Sequence, residues 1–296
     1  MSLFKGSGVA LVTPFYNDKI DYESMYKLID YQIENGTDAI IVCGTTGEAS
    51  TLSYDEQIEC IKKCVDYVDG RVCVIAGTGS NCTKSAVKLS KIAEKLGVNG
   101  LLVVTPYYNK CTQEGLKEHY KMISDNVSIP ILMYNVPSRT GVNIEPATAI
   151  DIVRNNKNVI GIKEASGNIS QISKLSYLKS KYNIDMDIYS GNDDQVLPIL
   201  SLGGVGVISV NANVIPKDMH NLVYSYLSGD YKKSSLLNEK AIIYSKVLFS
   251  EVNPIPVKRA LYELGLIKSD ELRLPLTKME EKHVLELKKV IESSQN

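Results

Sequence analysis

The feature that most constrains this chain is a regular alternation of short apolar stretches with longer amphipathic ones, which continues to about residue 225. The short stretches are rich in β-branched residues and predict strands at residues 9–12, 39–43, 72–76, 100–104, 131–135, 159–164, 187–191 and 205–209. Strands that are apolar on both faces suit a parallel sheet covered by helices. Eight βα units predict an α/β protein with a closed (β/α)8 TIM barrel, and an open doubly wound sheet is the alternative.

After residue 225 the pattern becomes purely helical, with helices predicted at about residues 230–249, 253–264 and 278–293. We therefore expect two regions. Residues 1–225 form the (β/α)8 barrel, which is the catalytic domain, and residues 226–296 form a C-terminal helical appendix. The appendix is too short to be an independent domain with a ligand of its own.

The balance of charges and the apolar runs exclude two classes of partner. Lys plus Arg number 33 against 34 Asp plus Glu, so no global field attracts nucleic acid or an anionic membrane. No apolar run approaches the roughly 20 residues of a membrane helix. The first residues lack the charged leader, apolar core and cleavage site of a signal peptide, so we expect a cytoplasmic protein.

The cysteines and histidines do not predict a metal site. The six cysteines, at positions 43, 60, 64, 73, 82 and 111, contain no CxxC pair, and the three histidines are scattered among apparently helical segments. Reduced, small core residues are the simpler interpretation of such cysteines. The stretch GTGSNC at residues 77–82 follows a strand but lacks the third glycine of a dinucleotide loop. We expect neither a metal nor an organic cofactor.

One lysine interrupts the apolar strand predicted at residues 159–164. Two interpretations of Lys163 are open. In the first, its aliphatic stem packs against the sheet while its ammonium group reaches water. In the second, its amine is buried, stays neutral and attacks carbonyl carbons. Tyr134 ends the neighbouring strand, so its hydroxyl is placed to shuttle protons at that amine. Thr45, after the second strand, is placed to relay them. The alternatives are a core aromatic residue for Tyr134 and a helix-capping turn for Thr45 and Thr46.

The same loops also offer groups that bind carboxylates. Backbone N–H groups of Thr45 and Thr46 stand between two glycines, where a small carboxylate fits. Arg139 lies a few residues beyond Tyr134, and its planar guanidinium suits a second carboxylate. A solvated loop arginine is the alternative interpretation of Arg139.

Three segments together resemble the dihydrodipicolinate synthase and N-acetylneuraminate lyase family: GTTGE at residues 44–48, YNVPSRTG at 134–141 and GIKEAS at 161–166. The similarity runs in order from GVALVTPF at 8–15 to NPIPVK at 253–258 and RLPL at 273–276, and so covers essentially the whole chain. It implies a barrel with a C-terminal helical bundle, usually a homotetramer, in which Lys163 forms a Schiff base with pyruvate. No metal or organic cofactor takes part in that chemistry.

Within that family the motifs are similar to those of the synthases. The second threonine of GTTGE is Thr46, and the synthases use the arginine that matches Arg139 to bind the carboxylate of aspartate semialdehyde. Tyr108 matches a tyrosine that reaches the proton relay of Tyr134 and Thr45 across the tight dimer interface. The resemblance therefore implies condensation of pyruvate with L-aspartate-4-semialdehyde to 4-hydroxy-tetrahydrodipicolinate, the first committed step of diaminopimelate and lysine biosynthesis.

The resemblance further suggests that the carbonyl groups of Gly191 and Ile208 line the pocket. Two other functions stay open. One is a pyruvate-dependent aldolase or lyase of the same family that uses a sugar-derived aldehyde. The other, more remote, is a barrel that binds ligands without catalysis.

This chain departs from the pattern of lysine-inhibited relatives at the site where they bind the inhibitor. Only Asn81 and Tyr107 match the inhibitor site, while the position that should be acidic is Ser85. Histidines expected after GTTGE are replaced by Tyr54 and Gln57. Removing the counter-charge from a desolvated cation site costs about 2–5 kcal/mol. We therefore expect lysine to inhibit weakly or not at all.

Overall fold

A closed barrel of parallel strands forms the centre of the computed structural model, which describes residues 2–293. Among those residues the barrel strands are β1 (Gly6–Ala10), β2 (Ala39–Val42), β3 (Cys73–Gly77), β4 (Gly100–Val104), β5 (Ile131–Asn135), β6 (Val159–Glu164), β7 (Asp187–Ser190) and β8 (Gly206–Ser209). Each strand pairs with its neighbours in chain order, and β1 closes the ring by pairing with both β2 and β8. The predicted closed barrel is confirmed, and the open sheet is excluded.

Helices follow the strands and cover the outside of the barrel. They are α1 (Tyr22–Glu34), α2 (Tyr54–Val68), α3 (Thr83–Lys95), α4 (Gln113–Ser124), α5 (Pro137–Thr140), α6 (Pro146–Asn155), α7 (Ile169–Lys181), α8 (Val196–Ser201) and α9 (Pro216–Leu227). The sequence of α2 specifies its own start, because Ser53 and Glu56 form a reciprocal capping box. A short antiparallel ribbon, Phe15–Tyr16 with Lys19–Ile20, follows β1.

Three further helices make up the C-terminal region. They are α10 (Tyr231–Leu248), α11 (Ile255–Glu263) and α12 (Glu281–Ser293), so the last begins at Glu281 rather than at residue 278. Helix α9 spans the boundary expected at residue 225, and the division into two domains stays a prediction. No helix within residues 2–293 is both long enough and apolar enough to cross a bilayer.

The predicted position of the first strand is wrong. The apolar run at 9–12 suggested it, but the ladder begins at Gly6 and ends at Ala10. The glycines of β1 and of the facing strand β8 have low strand propensity, yet they are needed because neighbouring atoms lie too close to leave room for a Cβ atom. A Cβ atom at Gly206 would stand 2.1 Å from the carbonyl oxygen of Gly6, and one at Gly8 would stand 2.8 Å from the Ile41 side chain.

The core has two layers, one inside the barrel and one between strands and helices. Phe4 and Tyr189 stack inside the amino-terminal end of the barrel, with ring centres 4.5 Å apart, and the Tyr189 hydroxyl donates to the Phe4 carbonyl at 2.6 Å. The interior is therefore a packed core rather than a channel. Polar chemistry is left to the carboxyl-terminal ends of the strands.

The expectation that the cysteines are core residues is correct for only part of the set. Cys43, Cys60 and Cys64 are buried between β2 and α2, whereas Cys73 and Cys111 are half-buried. Cys82 is exposed immediately before α3, so its interpretation as a core residue is wrong. All six thiols are free.

One buried histidine makes stability depend on pH. The His119 ring lies 3.0 Å from the Thr83 hydroxyl through Nδ1, while its Nε2 is buried without a hydrogen-bond partner. Desolvation lowers the pKa of His119 from its ordinary value of 6.5 to about 4. As pH falls through this window, the unfolded chain binds the proton first, so stability is progressively lost.

We expect His119→Gln to remove that loss. Between about pH 7.5 and about pH 5, the free energy of unfolding should fall by roughly 2 kcal/mol more in the unmodified protein than in the variant. Urea unfolding at the two pH values measures the difference. Equal losses in both proteins would contradict the assignment to His119.

Candidate active site

A cavity of about 430 Å³ opens at the carboxyl-terminal ends of β2 to β5. Several residues singled out from the sequence line it: Thr45, Tyr54, Gln57, Ser85, Tyr107, Tyr134 and Arg139. No carboxylate is found among the described side chains that line it. In barrels of this kind the loops at this end form the active face, so the cavity is the candidate active site.

Lys163 lies next to the cavity at the end of β6, and its side chain is 5% exposed. The ladder pairs it with Tyr134 of β5, and its Nζ stands 4.4 Å from the centre of the Tyr134 ring. Tyr134 is itself only 7% exposed. The amine is thus shielded from water at the active end of the barrel, which is the position expected of a lysine nucleophile.

Gly191 provides space for the lysine. It follows β7, and its N–H donates to the Glu164 carbonyl at 2.8 Å. A Cβ atom there would stand 3.1 Å from Cε of Lys163 and 2.7 Å from Cβ of Ala165. Ile208 lies in β8, and its side chain is fully buried in the barrel interior. The suggested role of these two carbonyl groups in lining the pocket stays a prediction.

The turn after β2 carries both threonines. Thr45 is half-buried and lines the cavity, whereas Thr46 is buried and its hydroxyl accepts a hydrogen bond from Asn253 Nδ2 at 3.0 Å. The Thr13 hydroxyl donates to the Gly47 carbonyl at 2.7 Å and secures the far side of the turn. Glu48 ends it in the left-handed region, with φ of 52°.

Arg139 lies on the short helix α5, exposed at the rim of the cavity. Its Nη2 donates to the backbone carbonyl of Asn253 at 3.3 Å. Asn253 therefore contacts both Arg139 and Thr46, the two groups expected to bind carboxylates. Its Oδ1 is buried without a hydrogen-bond partner. Asn253 did not stand out as a site residue in the sequence, although it begins the NPIPVK motif.

A buried ion pair holds the segment that carries Asn253. Lys258 Nζ donates to Glu48 Oε1 at 2.5 Å and to the Glu271 carbonyl at 2.7 Å, and both charged side chains are fully buried. Burial lowers the pKa of Lys258 to about 8, against the opposing attraction of Glu48. The backbone N–H of Arg273 donates to the second oxygen of Glu48 at 3.2 Å. Lys258 and Arg273, both in the C-terminal region, thus form hydrogen bonds with Glu48 of the GTTGE turn.

Tyr107 and Tyr108 differ in their surroundings. Tyr107 lines the cavity, whereas Tyr108 is 91% exposed and adopts φ of 73°. A left-handed conformation is unusual for an aromatic residue, and here it accompanies a side chain that projects into solvent. Within one chain, the structure does not bring Tyr108 to Tyr134 and Thr45.

Four residues of the supposed inhibitor site line the same cavity, namely Tyr54, Gln57, Ser85 and Tyr107, whereas Asn81 is not among its lining residues. Gln57 Nε2 donates to the Ala49 carbonyl at 2.8 Å, and the Asn81 carbonyl accepts from Asn109 at 3.0 Å. Lys88 Nζ stands 4.4 Å from the centre of the Tyr54 ring. A cation of the protein itself therefore already occupies that aromatic face.

Two buried carboxylates near the lysine were also missed. Glu164 accepts hydrogen bonds from Asn135 and Ser166, and Asp193 accepts from the Ser209 hydroxyl at 2.5 Å and from Val210 N–H at 2.9 Å. Burial raises the pKa of both groups, and their donors oppose the rise. Strand alternation was the signal for Glu164, because the residue after an inward-facing lysine faces outward. In the described part of the chain, no group of three or more His, Cys, Asp or Glu is placed to hold a metal ion.

The chain is similar over nearly its whole length to proteins of one known family. A sequence model described as the dihydrodipicolinate synthetase family matches residues 3–294. The chain is similar to 4-hydroxy-tetrahydrodipicolinate synthase of Clostridium tetani, with 53% identity over 290 residues that cover 98% of this chain and 97% of the relative.

Solved structures give the same result. A crystal structure of dihydrodipicolinate synthase from Thermotoga maritima is 49% identical and superposes with a TM-score of 0.97, covering 99% of both chains. The chloride-inhibited enzyme from Acinetobacter baumannii, complexed with pyruvate, is 42% identical with a TM-score of 0.94. That match covers 98% of this chain and 99% of the other.

We expect Lys258→Met to destabilise the protein by about 3–5 kcal/mol, because it leaves the carboxylate of Glu48 buried without its cation. The double variant Glu48→Gln/Lys258→Met should recover most of the loss. Lys240→Met is the matched control, since the pair of Lys240 with Asp218 is partly exposed and should contribute less than about 1 kcal/mol. Urea unfolding measures all three. A single variant as stable as the control would contradict the role given to the buried pair.

Proposed function

The chain belongs to the dihydrodipicolinate synthetase family, and from that membership we propose that it is a 4-hydroxy-tetrahydrodipicolinate synthase, a lyase that condenses pyruvate with L-aspartate-4-semialdehyde. The observation that carries the proposal is the buried Lys163 amine, which stands 4.4 Å from the Tyr134 ring at the active end of the barrel. Relatives named for this activity match essentially the whole chain, and one neighbour is a complex with pyruvate.

In the proposed mechanism, the neutral amine of Lys163 attacks the ketone of pyruvate. The carbinolamine then loses water to give an imine, while Tyr134 and Thr45 move the protons. Thr45 and Thr46 hold the pyruvate carboxylate through the turn after β2. The protonated imine withdraws electrons, so the methyl group loses a proton and becomes an enamine nucleophile. Because the site is shielded from water, hydrolysis does not compete readily.

The enamine carbon then attacks the aldehyde of aspartate semialdehyde and forms the new carbon–carbon bond. Arg139 orients this substrate through its carboxylate, which suits an exposed guanidinium at the rim of a cavity without lining carboxylates. The amino group of the substrate then attacks the imine carbon. That step closes the ring and releases Lys163 as the free amine.

The relay is completed by a second copy of the chain. We place Tyr108 of one subunit next to Thr45 and Tyr134 of its neighbour across a tight dimer, and two such dimers form a homotetramer. The 91% exposure of Tyr108 supports this arrangement, because its side chain is available to a partner. A cytoplasmic location belongs to the same proposal and is supported by six free thiols.

The proposal is tested by the consumption of pyruvate in the presence of different acceptors. With aspartate semialdehyde, the purified protein should consume pyruvate rapidly, whereas N-acetylmannosamine and glyceraldehyde should support little turnover. Rapid turnover with a sugar-derived acceptor would identify a different aldolase or lyase of the family. A protein that consumes pyruvate with none of the three, and forms no adduct with pyruvate that borohydride traps, would be a barrel that binds without catalysis.

We expect Arg139→Ala chiefly to weaken use of aspartate semialdehyde. Loss of a charge-assisted contact with a carboxylate costs about 2–3 kcal/mol, which corresponds to roughly 30–150-fold in kcat/KM for that substrate. The KM for pyruvate should change little. Arg154→Ala, on the outer helix α6, is the control. An effect confined to pyruvate would place Arg139 at the other carboxylate.

We expect lysine to inhibit weakly or not at all. The cavity is lined by Ser85 and no described carboxylate, and Lys88 already covers the Tyr54 ring. Initial rates measured against increasing lysine test this, and half-inhibition below about 1 mM would contradict it, since such affinity needs about 4 kcal/mol of binding energy. Ser85→Glu should increase sensitivity to lysine, and Lys84→Glu, one residue away, serves as the control.

A further inference from the structure

Two side chains lie directly behind the reactive pair on the outer face of the barrel. The ladder pairs Tyr134 with Lys163 and, one residue on, Asn135 with Glu164. Because successive side chains in a strand point to opposite faces, Tyr134 and Lys163 face the barrel interior while Asn135 and Glu164 face the surrounding helices. A single peptide unit therefore links Asn135 to Tyr134, and another links Glu164 to Lys163.

Glu164 is 1% exposed, and its carboxylate is held by neutral donors. Asn135 Nδ2 lies 3.2 and 3.1 Å from its two oxygens, Ser166 N–H donates at 2.7 Å, and Gln171 Nε2 donates at 3.4 Å. None of these partners is a cation. Burying a carboxylate without a cation is costly unless several donors are fixed around it. We therefore expect this buried carboxylate to have a structural role.

Asn135 extends the contacts to two other segments. Its Oδ1 accepts from Ile144 N–H at 2.9 Å, and its Nδ2 also donates to Asn143 Oδ1 at 2.9 Å. Asn143 and Gln171 exchange a pair of hydrogen bonds at 2.8 and 3.1 Å. The ends of β5 and β6, the segment after α5 and the first turn of α7 are thus joined in one network.

The network requires an acceptor at both oxygens of Glu164. A glutamine in its place would turn an NH2 group toward one of the donors. Asn135 has no freedom to flip its amide and compensate, because its Oδ1 is already engaged by Ile144 N–H. An amide at position 164 therefore leaves two donors facing each other, and the strand ends must move apart to relieve the contact.

We propose that Glu164 is a positioning residue for imine formation: through Asn135 it holds the ends of β5 and β6 so that the Tyr134 ring stays against the Lys163 amine. Glu164 does not touch the reacting atoms. The inference rests on the proposed function, because the step that it supports is the attack of Lys163 on pyruvate. Arg139 and Asn253 lie outside this network, so binding of the second substrate is largely independent of it.

The test is Glu164→Gln in the full-length protein, with the rate of imine formation measured by borohydride trapping with pyruvate. We expect that rate to fall by about 10–100-fold, as is usual when the support of a reactive group is lost. The KM for aspartate semialdehyde should stay within about threefold. Glu145→Gln makes the same isosteric change on an exposed side chain beside Ile144 and should leave both quantities unchanged.

A second variant tests whether the two residues act as a unit. Asn135→Asp/Glu164→Gln exchanges the amide and the carboxylate across the ladder, and each donor again finds an acceptor when the paired side-chain amides of Asn143 and Gln171 turn over together. Recovery of about tenfold in the trapping rate relative to Glu164→Gln supports the cross-strand role, and no recovery overturns it. If Glu164→Gln does not fold, judged by thermal unfolding, Glu164→Asp takes its place, since it keeps the charge but withdraws the carboxylate. A folded Glu164→Asp protein with an unchanged trapping rate overturns the proposal.

The controls separate this inference from the proposed function. If the unmodified protein forms no adduct with pyruvate, the proposed function fails and the positioning role fails with it. If the unmodified protein forms the adduct and folded Glu164→Gln forms it within about twofold of the same rate, only the positioning role is overturned.

Discussion

The buried ion pair between Lys258 and Glu48 is the contact on which the geometry of the active end depends. Glu48 ends the turn that carries the two threonines, and Lys258 lies on α11, more than 200 residues away in sequence. Between the barrel and α11 stands Asn253, which contacts Thr46 through its side chain and Arg139 through its backbone. The C-terminal region therefore shapes the site although it offers no reactive group of its own.

A buried ion pair is not in itself a strong source of stability, because desolvation offsets much of the attraction. Its value here is geometric. The ammonium group of Lys258 is stabilised only where its Nζ lies, between Glu48, the Glu271 carbonyl and the Phe15 ring at 4.0 Å. A charge that is satisfied in only one position fixes the segment that bears it, and with it the position of Asn253.

The parallel barrel explains how the chemistry is divided between two faces. Inward-facing residues at the strand ends supply the reactive groups, while the residues next to them face the helices and form hydrogen bonds. The alternation of Tyr134 and Asn135 in β5, matched by Lys163 and Glu164 in β6, shows both faces at once. It also made the fold, and the position of Lys163 at a strand end, predictable from sequence, because periodicity and strand ends are local signals. The role of Lys163 was implied only by the resemblance to the family. The contacts of Asn253 were not predictable in this way, since they join residues far apart in the chain. Nor was the start of β1, where glycines are required by close packing against neighbouring atoms rather than by strand propensity.

We propose that Lys163, and not the buried Lys258, is the amine that reacts. The most direct test is to treat the protein with pyruvate and borohydride, digest it, and locate the adduct by mass spectrometry. We expect a single modified peptide that contains Lys163, with Lys258 unmodified because its charge is held by Glu48. An adduct on Lys258 or on surface lysines, with Lys163 unmodified, would contradict it.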